Sequence, residues 1–156
     1  MTAKTLTPAN ITHYIEETFT GIDVVRPEET GGPEIAWGDL FFIYDPQRNL
    51  SVPQRFPFAT IVTKDYGDFD CASNLNRPEV YRFNIGLRKA TFQKLFPDDG
   101  CVFDYAAFDV LMPHPVYATQ SWACIVNPTE ATFQTLHPLL MEAYQFAVSR
   151  ITKAES

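Results

Sequence analysis

The chain has 156 residues, 46% of them hydrophobic and 14% aromatic, with 13 Phe, which suits one domain burying roughly two-thirds of its unfolded surface and excludes a disulfide-stapled miniature. A net charge of −7 disfavours phosphate backbones and anionic membranes as partners. Residues 1–10 lack the basic and apolar regions of a secretory leader, and no apolar run approaches the roughly 20 residues of a membrane span, so the expected location is the cytoplasm.

Thr7 before Pro8 matches an N-cap followed by proline at the first helical position, and Ile11, Tyr14, Ile15, Thr18 and Phe19 recur at helical spacing until Gly21. Ile22 to Arg26 is a strand candidate, followed by an acidic Gly/Pro-rich loop from Pro27 to Pro33. Leu40 to Tyr44 is a buried strand closed by Asp45-Pro46. Phe58 to Val62 is apolar on both faces, as an inner strand requires. From Val80 to Leu87 the residues alternate. Tyr81, Phe83, Ile85 and Leu87 take one face, and Arg82, Asn84 and Gly86 take the other.

Ala90 to Phe96 forms a helix of about two turns ending before Pro97. Val102 to Met112 shows no firm period, and the two prolines of Pro113-His114-Pro115 force an extended path. Ser121 to Val126 is the last strand. Asn127, Pro128 and Glu130 match a capping box, and Pro138 should interrupt the helix it opens. Beyond that proline, Leu140, Ala143, Tyr144, Ala147 and Ile151 share the face of a final helix, and residues 152–156 are expected to fray. The sum is an α+β fold in two layers, an antiparallel sheet of about five strands with the N-terminal and C-terminal helices packed on one face.

This order, with Trp37-Gly38 before the first long strand, Arg88-Lys89 within the segment from Asn84 to Phe96, and Trp122 opening the late strand, resembles the YjbR/MmcQ-like fold of small bacterial α+β domains. The phrases PEIAWGDLFFIY, PFATIVTKDY, YRFNIG and HPVYATQSWACIVNP resemble a bacterial family of unknown function over nearly the whole chain. Neither resemblance implies a reaction. The wider one implies a likeness to double-wing DNA-binding domains, but this acidic chain lacks the long basic helix or wing that such a role needs.

His114 with Tyr117 and Trp122 is the most suggestive cluster, since histidine titrates near neutrality and two aromatics beside it can wall a small-ligand site. The competing reading makes Pro113 to Tyr117 a crossing connection whose His114 bonds backbone. Arg82 and Asn84 share a strand face, and Lys64 ends the neighbouring strand, so the three form a candidate anion patch unless Glu34, Asp39 or Asp65 neutralises them. Asp65, Asp68 and Asp70 miss the spacing of a calcium loop and read as a solvated acidic loop, so no metal site is proposed.

Cys71, Cys101 and Cys124 show no CxxC spacing, which fits free thiols in a reducing compartment. No nucleophile elbow, phosphate loop, HExxH or dinucleotide fingerprint is present, and no cofactor is called for. The expected function is a non-catalytic module, monomeric or homodimeric, that binds a small anionic ligand or a protein through Lys64, Arg82, Asn84, His114, Tyr117 and Trp122. Two alternatives stand beside it: an enzyme with His114 as general base on a small anionic substrate, and a DNA-binding domain using Arg82, Arg88 and Lys89.

Overall fold

A computed structural model describes residues 4–155. Helix α1 (Pro8–Thr18) begins where Thr7 Oγ1 accepts a hydrogen bond from the Asn10 amide and Asn10 Oδ1 accepts one from the Thr7 amide, a reciprocal cap. Six strands follow: β1 (Ile22–Val25), β2 (Leu40–Tyr44), β3 (Pro57–Val62), β4 (Arg82–Gly86), β5 (Met112–Pro113) and β6 (Trp122–Val126). They pair antiparallel in the order β1-β2-β3-β4-β6-β5. The sixth strand is the two-residue β5, too short to carry a periodic signal. A one-turn α2 (Pro27–Thr30) lies in the acidic loop, and α3 (Lys89–Leu95) follows β4.

The closing helix α4 (Glu130–Glu155) runs unbroken through Pro138, contrary to the interruption expected from the sequence. Proline removes one backbone donor, and the carbonyl left over belongs to Gln134, which is exposed along with Pro138 itself, so water can take the bond. The cap is also displaced. Thr129 Oγ1, not Asn127, accepts from the Thr132 amide at 3.3 Å, while Asn127 accepts from the Tyr81 amide at 2.9 Å and donates to the Glu79 carbonyl at 3.1 Å. Asn127 thus pins the entry to β4. Of the segments read at the two ends, residues 1–3 and Ser156 lie outside the described residues.

The two faces of the sheet differ because β4 alternates. Phe83 and Ile85 pack with Ile61, Ala123 and Ile125 beneath Ile11 and Ile15 of α1 and Phe133, Leu136, Leu140 and Ala143 of α4. Both terminal helices cover this face. Across the other face runs a paired row, Val25, Phe41, Thr60, Asn84, Cys124 and Met112, one residue from each strand. Here loops that carry the one-turn α2, not the long terminal helices, lie over the sheet.

Cys124 sits in that row, fully buried, and burial pushes its thiol up to about 12, whereas Cys71 and Cys101 are exposed. Ellman's reagent at pH 8 should therefore titrate two thiols in the native protein and the third only after denaturation. Three fast-reacting thiols would contradict this burial.

Candidate functional site

On the face away from α1 and α4 the loops frame an open cavity of about 620 Å³. Its floor is made by Val25, Phe41, Thr60, Val62, Arg82 and Asn84 of the sheet, its rim by the loops around Pro27–Ala36, Phe56, Tyr66–Asp70 and His114–Trp122. Most of the wall is apolar or aromatic, and the polar groups converge at the Arg82 end. Gly86 is paired with Trp122, and a Cβ at Gly86 would meet the indole at 3.0 Å, so a larger residue there would press the ring away from β4 by a few tenths of an ångström. Trp122, Phe56, Pro57 and Gln120 also border a second cavity of about 440 Å³ that reaches Phe146 and Arg150 of α4.

The polar end is built on Arg82, which is 1% exposed. Nη1 donates to Asp70 Oδ1 at 2.9 Å and Ser73 Oγ at 3.0 Å, Nη2 donates to Asp70 Oδ2 at 2.5 Å, and Nε donates to Asn84 Oδ1 at 2.8 Å. Asn84 passes the chain on, its Nδ2 donating to Thr60 Oγ1 at 2.8 Å. A buried guanidinium needs such a bidentate partner, because an unpaired charge in a low-dielectric interior is strongly unfavourable. Burial acts to raise the Asp70 carboxyl, but its hydrogen bonds and attraction to Arg82 outweigh that and hold it below the usual carboxylate range.

His114, 2% exposed, stands beside this pair with Nε2 3.1 Å from Arg82 Nη2. Its Nδ1 accepts from two backbone amides, Val116 at 3.0 Å and Tyr117 at 2.9 Å. Burial and then the Arg82 charge lower its basicity to about 3, against the opposing pull of Asp70, so the ring is neutral at physiological pH. Both sequence readings of His114 thus meet in one residue. It bonds the backbone of its own connection, and it also lines the cavity beside Tyr117, whose ring centroid lies 5.0 Å away, and Trp122.

Of the six residues expected to form the site, Arg82, Asn84, His114, Tyr117 and Trp122 line one cavity. Lys64 does not join them. Its ammonium lies 3.5 Å from Asp39 and bonds the Trp37 carbonyl. Asp39, fully buried, also accepts from the Thr63 amide and hydroxyl and from the Tyr66 hydroxyl. Burial, with Asp39 beside it, raises the Tyr66 phenol well above its ordinary value.

Two expectations about charge are corrected here. The carboxylate that neutralises Arg82 is Asp70, not Glu34, Asp39 or Asp65, and the loop carrying it is not wholly solvated, since Asp70 and Ser73 are buried against β4. Thr60, Asp70, Ser73 and Phe41 were missed because each becomes a neighbour only through strand register or loop closure. A carboxylate twelve residues before a strand arginine carries no periodic signal. Among the described residues, no group of His, Cys, Asp and Glu is arranged to hold a metal ion, and no helix is long and apolar enough to cross a membrane.

Residues 6–156 match the model of a family of unknown function, DUF6194. The chain belongs to this family. No curated protein and no solved structure matches it. The description of the DUF6194 family assigns no reaction.

Proposed function

We propose that this DUF6194 protein is a non-catalytic binding module that holds a small molecule in the cavity over the face of the sheet away from α1 and α4. The observation that carries the proposal is the cavity itself, about 620 Å³ with mostly apolar walls and a few buried polar groups converging at one end, the usual anatomy of a small-ligand site. The exposed rings of Phe56 and Phe69 at its rim would suit an apolar side chain of a protein partner equally well in chemistry, but the polar groups gathered at one end of the cavity favour a small molecule.

A general-base role for His114 has less support. Nδ1 is committed to two amides, and a basicity near 3 leaves the ring a poor proton acceptor at neutral pH. DNA binding has less still, because Arg82 is buried and ion-paired and Arg88 lies over the Phe146 ring, 4.6 Å from its centroid. The further reading is of a bacterial, cytoplasmic protein, a single YjbR-like domain acting as monomer or homodimer. The element order and the three free cysteines support it.

The test is titration with the uncharged dye N-phenyl-1-naphthylamine, whose emission rises in apolar surroundings. Enhancement saturating at one dye per chain, and lost when Val25→Trp fills the floor, is expected. No enhancement, or enhancement indifferent to Val25→Trp in a variant that retains the native circular dichroism spectrum, would overturn the proposal.

A further inference from the structure

Arg48, Arg55 and Arg82 each hold a carboxylate within ion-pair distance. Arg150 of α4 holds none among the described residues. Its guanidinium rests on two rings instead, 5.2 Å from the centroid of Phe56 and 5.7 Å from that of Phe146, contacts that steady a cation without neutralising it. Carboxylates are plentiful in a chain with a net charge of −7, so a guanidinium without one is left able to take an acid from outside.

Both rings belong to the wall of the second cavity, about 440 Å³, between α4 and the adjoining ends of β3 and β4. That volume falls in the range of small-molecule sites. Phe58, Leu87 and Ala143 in its wall are buried, whereas Phe56 and Arg150 are exposed. The cavity is therefore apolar within and cationic at its mouth. Among the described residues that line it there is no Asp or Glu, and Tyr44, Gln54 and Gln120 contribute only neutral polar groups. The acid one turn before Phe146 is Glu142, whose carboxylate accepts from the Thr91 hydroxyl at 2.6 Å and the Arg88 amide at 3.4 Å. Arg88 adds a second guanidinium over the Phe146 ring, 4.6 Å from its centroid.

We infer that this second cavity binds a monocarboxylate with a flat apolar body, the carboxylate on Arg150 at the mouth and the body against Trp122 and Leu87 within. One guanidinium matches one carboxylate through two parallel N–H donors, and aromatic walls suit a flat ring. A dianion would exceed the single charge of Arg150 in a chain that is already acidic. The anion expected from the sequence at Arg82 finds its counter-charge here, because Asp70 already matches Arg82. The site is distinct from the larger cavity of the proposed function, with which it shares Phe56, Pro57, Gln120 and Trp122.

The experiment titrates naphthylacetate and its uncharged isostere naphthylacetamide into the full chain at pH 7 while the ¹H–¹³C methyl resonances are followed. Ala147 and Ile151 line only this cavity, and Val25 and Val62 line only the larger one. The acid should shift Ala147 and Ile151 and bind about fivefold more tightly than the amide, the effect of one partly exposed charged pair. The net negative charge of the chain opposes the acid, so a preference for it must arise at the site. In Arg150→Gln, a change at an exposed position, the acid should fall to within about twofold of the amide, whose own affinity stays unchanged. Equal binding of acid and amide by the wild type would overturn the inference, as would an acid affinity indifferent to Arg150→Gln or the absence of any shift. Shifts confined to Val25 and Val62 would also overturn it, while supporting ligand binding in the larger cavity.

Discussion

Asp70→Asn is expected to lower the unfolding free energy at pH 7 by about 3–5 kcal/mol, the range for removing one partner of a buried ion pair. The reason is what remains, not what is lost. Arg82 is 1% exposed on the floor of the cavity, and Asp70 supplies two of its hydrogen bonds and its counter-charge. An amide in that place leaves a guanidinium charge buried without compensation. The double variant Asp70→Leu with Arg82→Met removes both charges together, and a large part of the lost stability should return, as it does when apolar groups of similar volume replace a buried pair. Urea denaturation of the three chains measures the effect. A loss under about 0.5 kcal/mol in Asp70→Asn would show that the pair is solvated and the cavity floor is not the closed surface described.

The second large effect is the response to acid. In the unfolded chain His114 takes up a proton near its ordinary value of 6.5, whereas in the fold burial and Arg82 hold it down to about 3. Between those limits the unfolded state binds the extra proton, so stability must rise with pH across the window and fall as pH drops from about 6.5 towards 3. One such proton contributes a slope of at most about 1.4 kcal/mol per pH unit and several kcal/mol over the whole window. Asp70 adds its own loss at lower pH. Its folded value lies below the ordinary 3.8, so the stability it contributes is complete above that and disappears as pH falls through the folded value.

His137, lowered by burial, acts in the same direction as His114, and a variant must separate them. His114→Asn does so, because an Asn oxygen can replace Nδ1 as acceptor for the Val116 and Tyr117 amides while nothing titrates. Urea midpoints at pH 7, 6, 5 and 4 should fall steeply in the wild type and less steeply in His114→Asn. Parallel profiles would mean that His114 is protonated in the fold as readily as in the unfolded chain.

Much of the sheet was legible because its strands carry period-two patterns that burial enforces. The alternation from Tyr81 to Leu87 placed Phe83 and Ile85 under the helices and Arg82 and Asn84 on the opposite face, as observed. Thr7-Pro8 marked the start of α1 because capping is a local matter. Local rules failed where a distant group competed. Asn127 resembles a helix cap in sequence, yet the Tyr81 amide claims its side chain and Thr129 caps instead. Pro138 reads as a break, yet the carbonyl it leaves unpaired belongs to the exposed Gln134, where water can take the bond.

The site divides along the same line. By itself the sequence determined which residues of β4 share a face, since alternation sends Arg82 and Asn84 to one side of that strand; the register of β6 against β4 set Trp122 beside them. Only the tertiary structure decided what that face is chemically. Loop closure brought Asp70 onto Arg82 and turned an expected anion patch into a neutral, buried pair. Strand register laid Thr60 and Phe41 beside Asn84 as a floor. The connection around His114 folded its own amides onto Nδ1, leaving Nε2 against the Arg82 guanidinium. Charge and proton position depend on neighbours brought together by loop closure and packing, whatever their separation in sequence, because electrostatic energies are set by distance and burial in space.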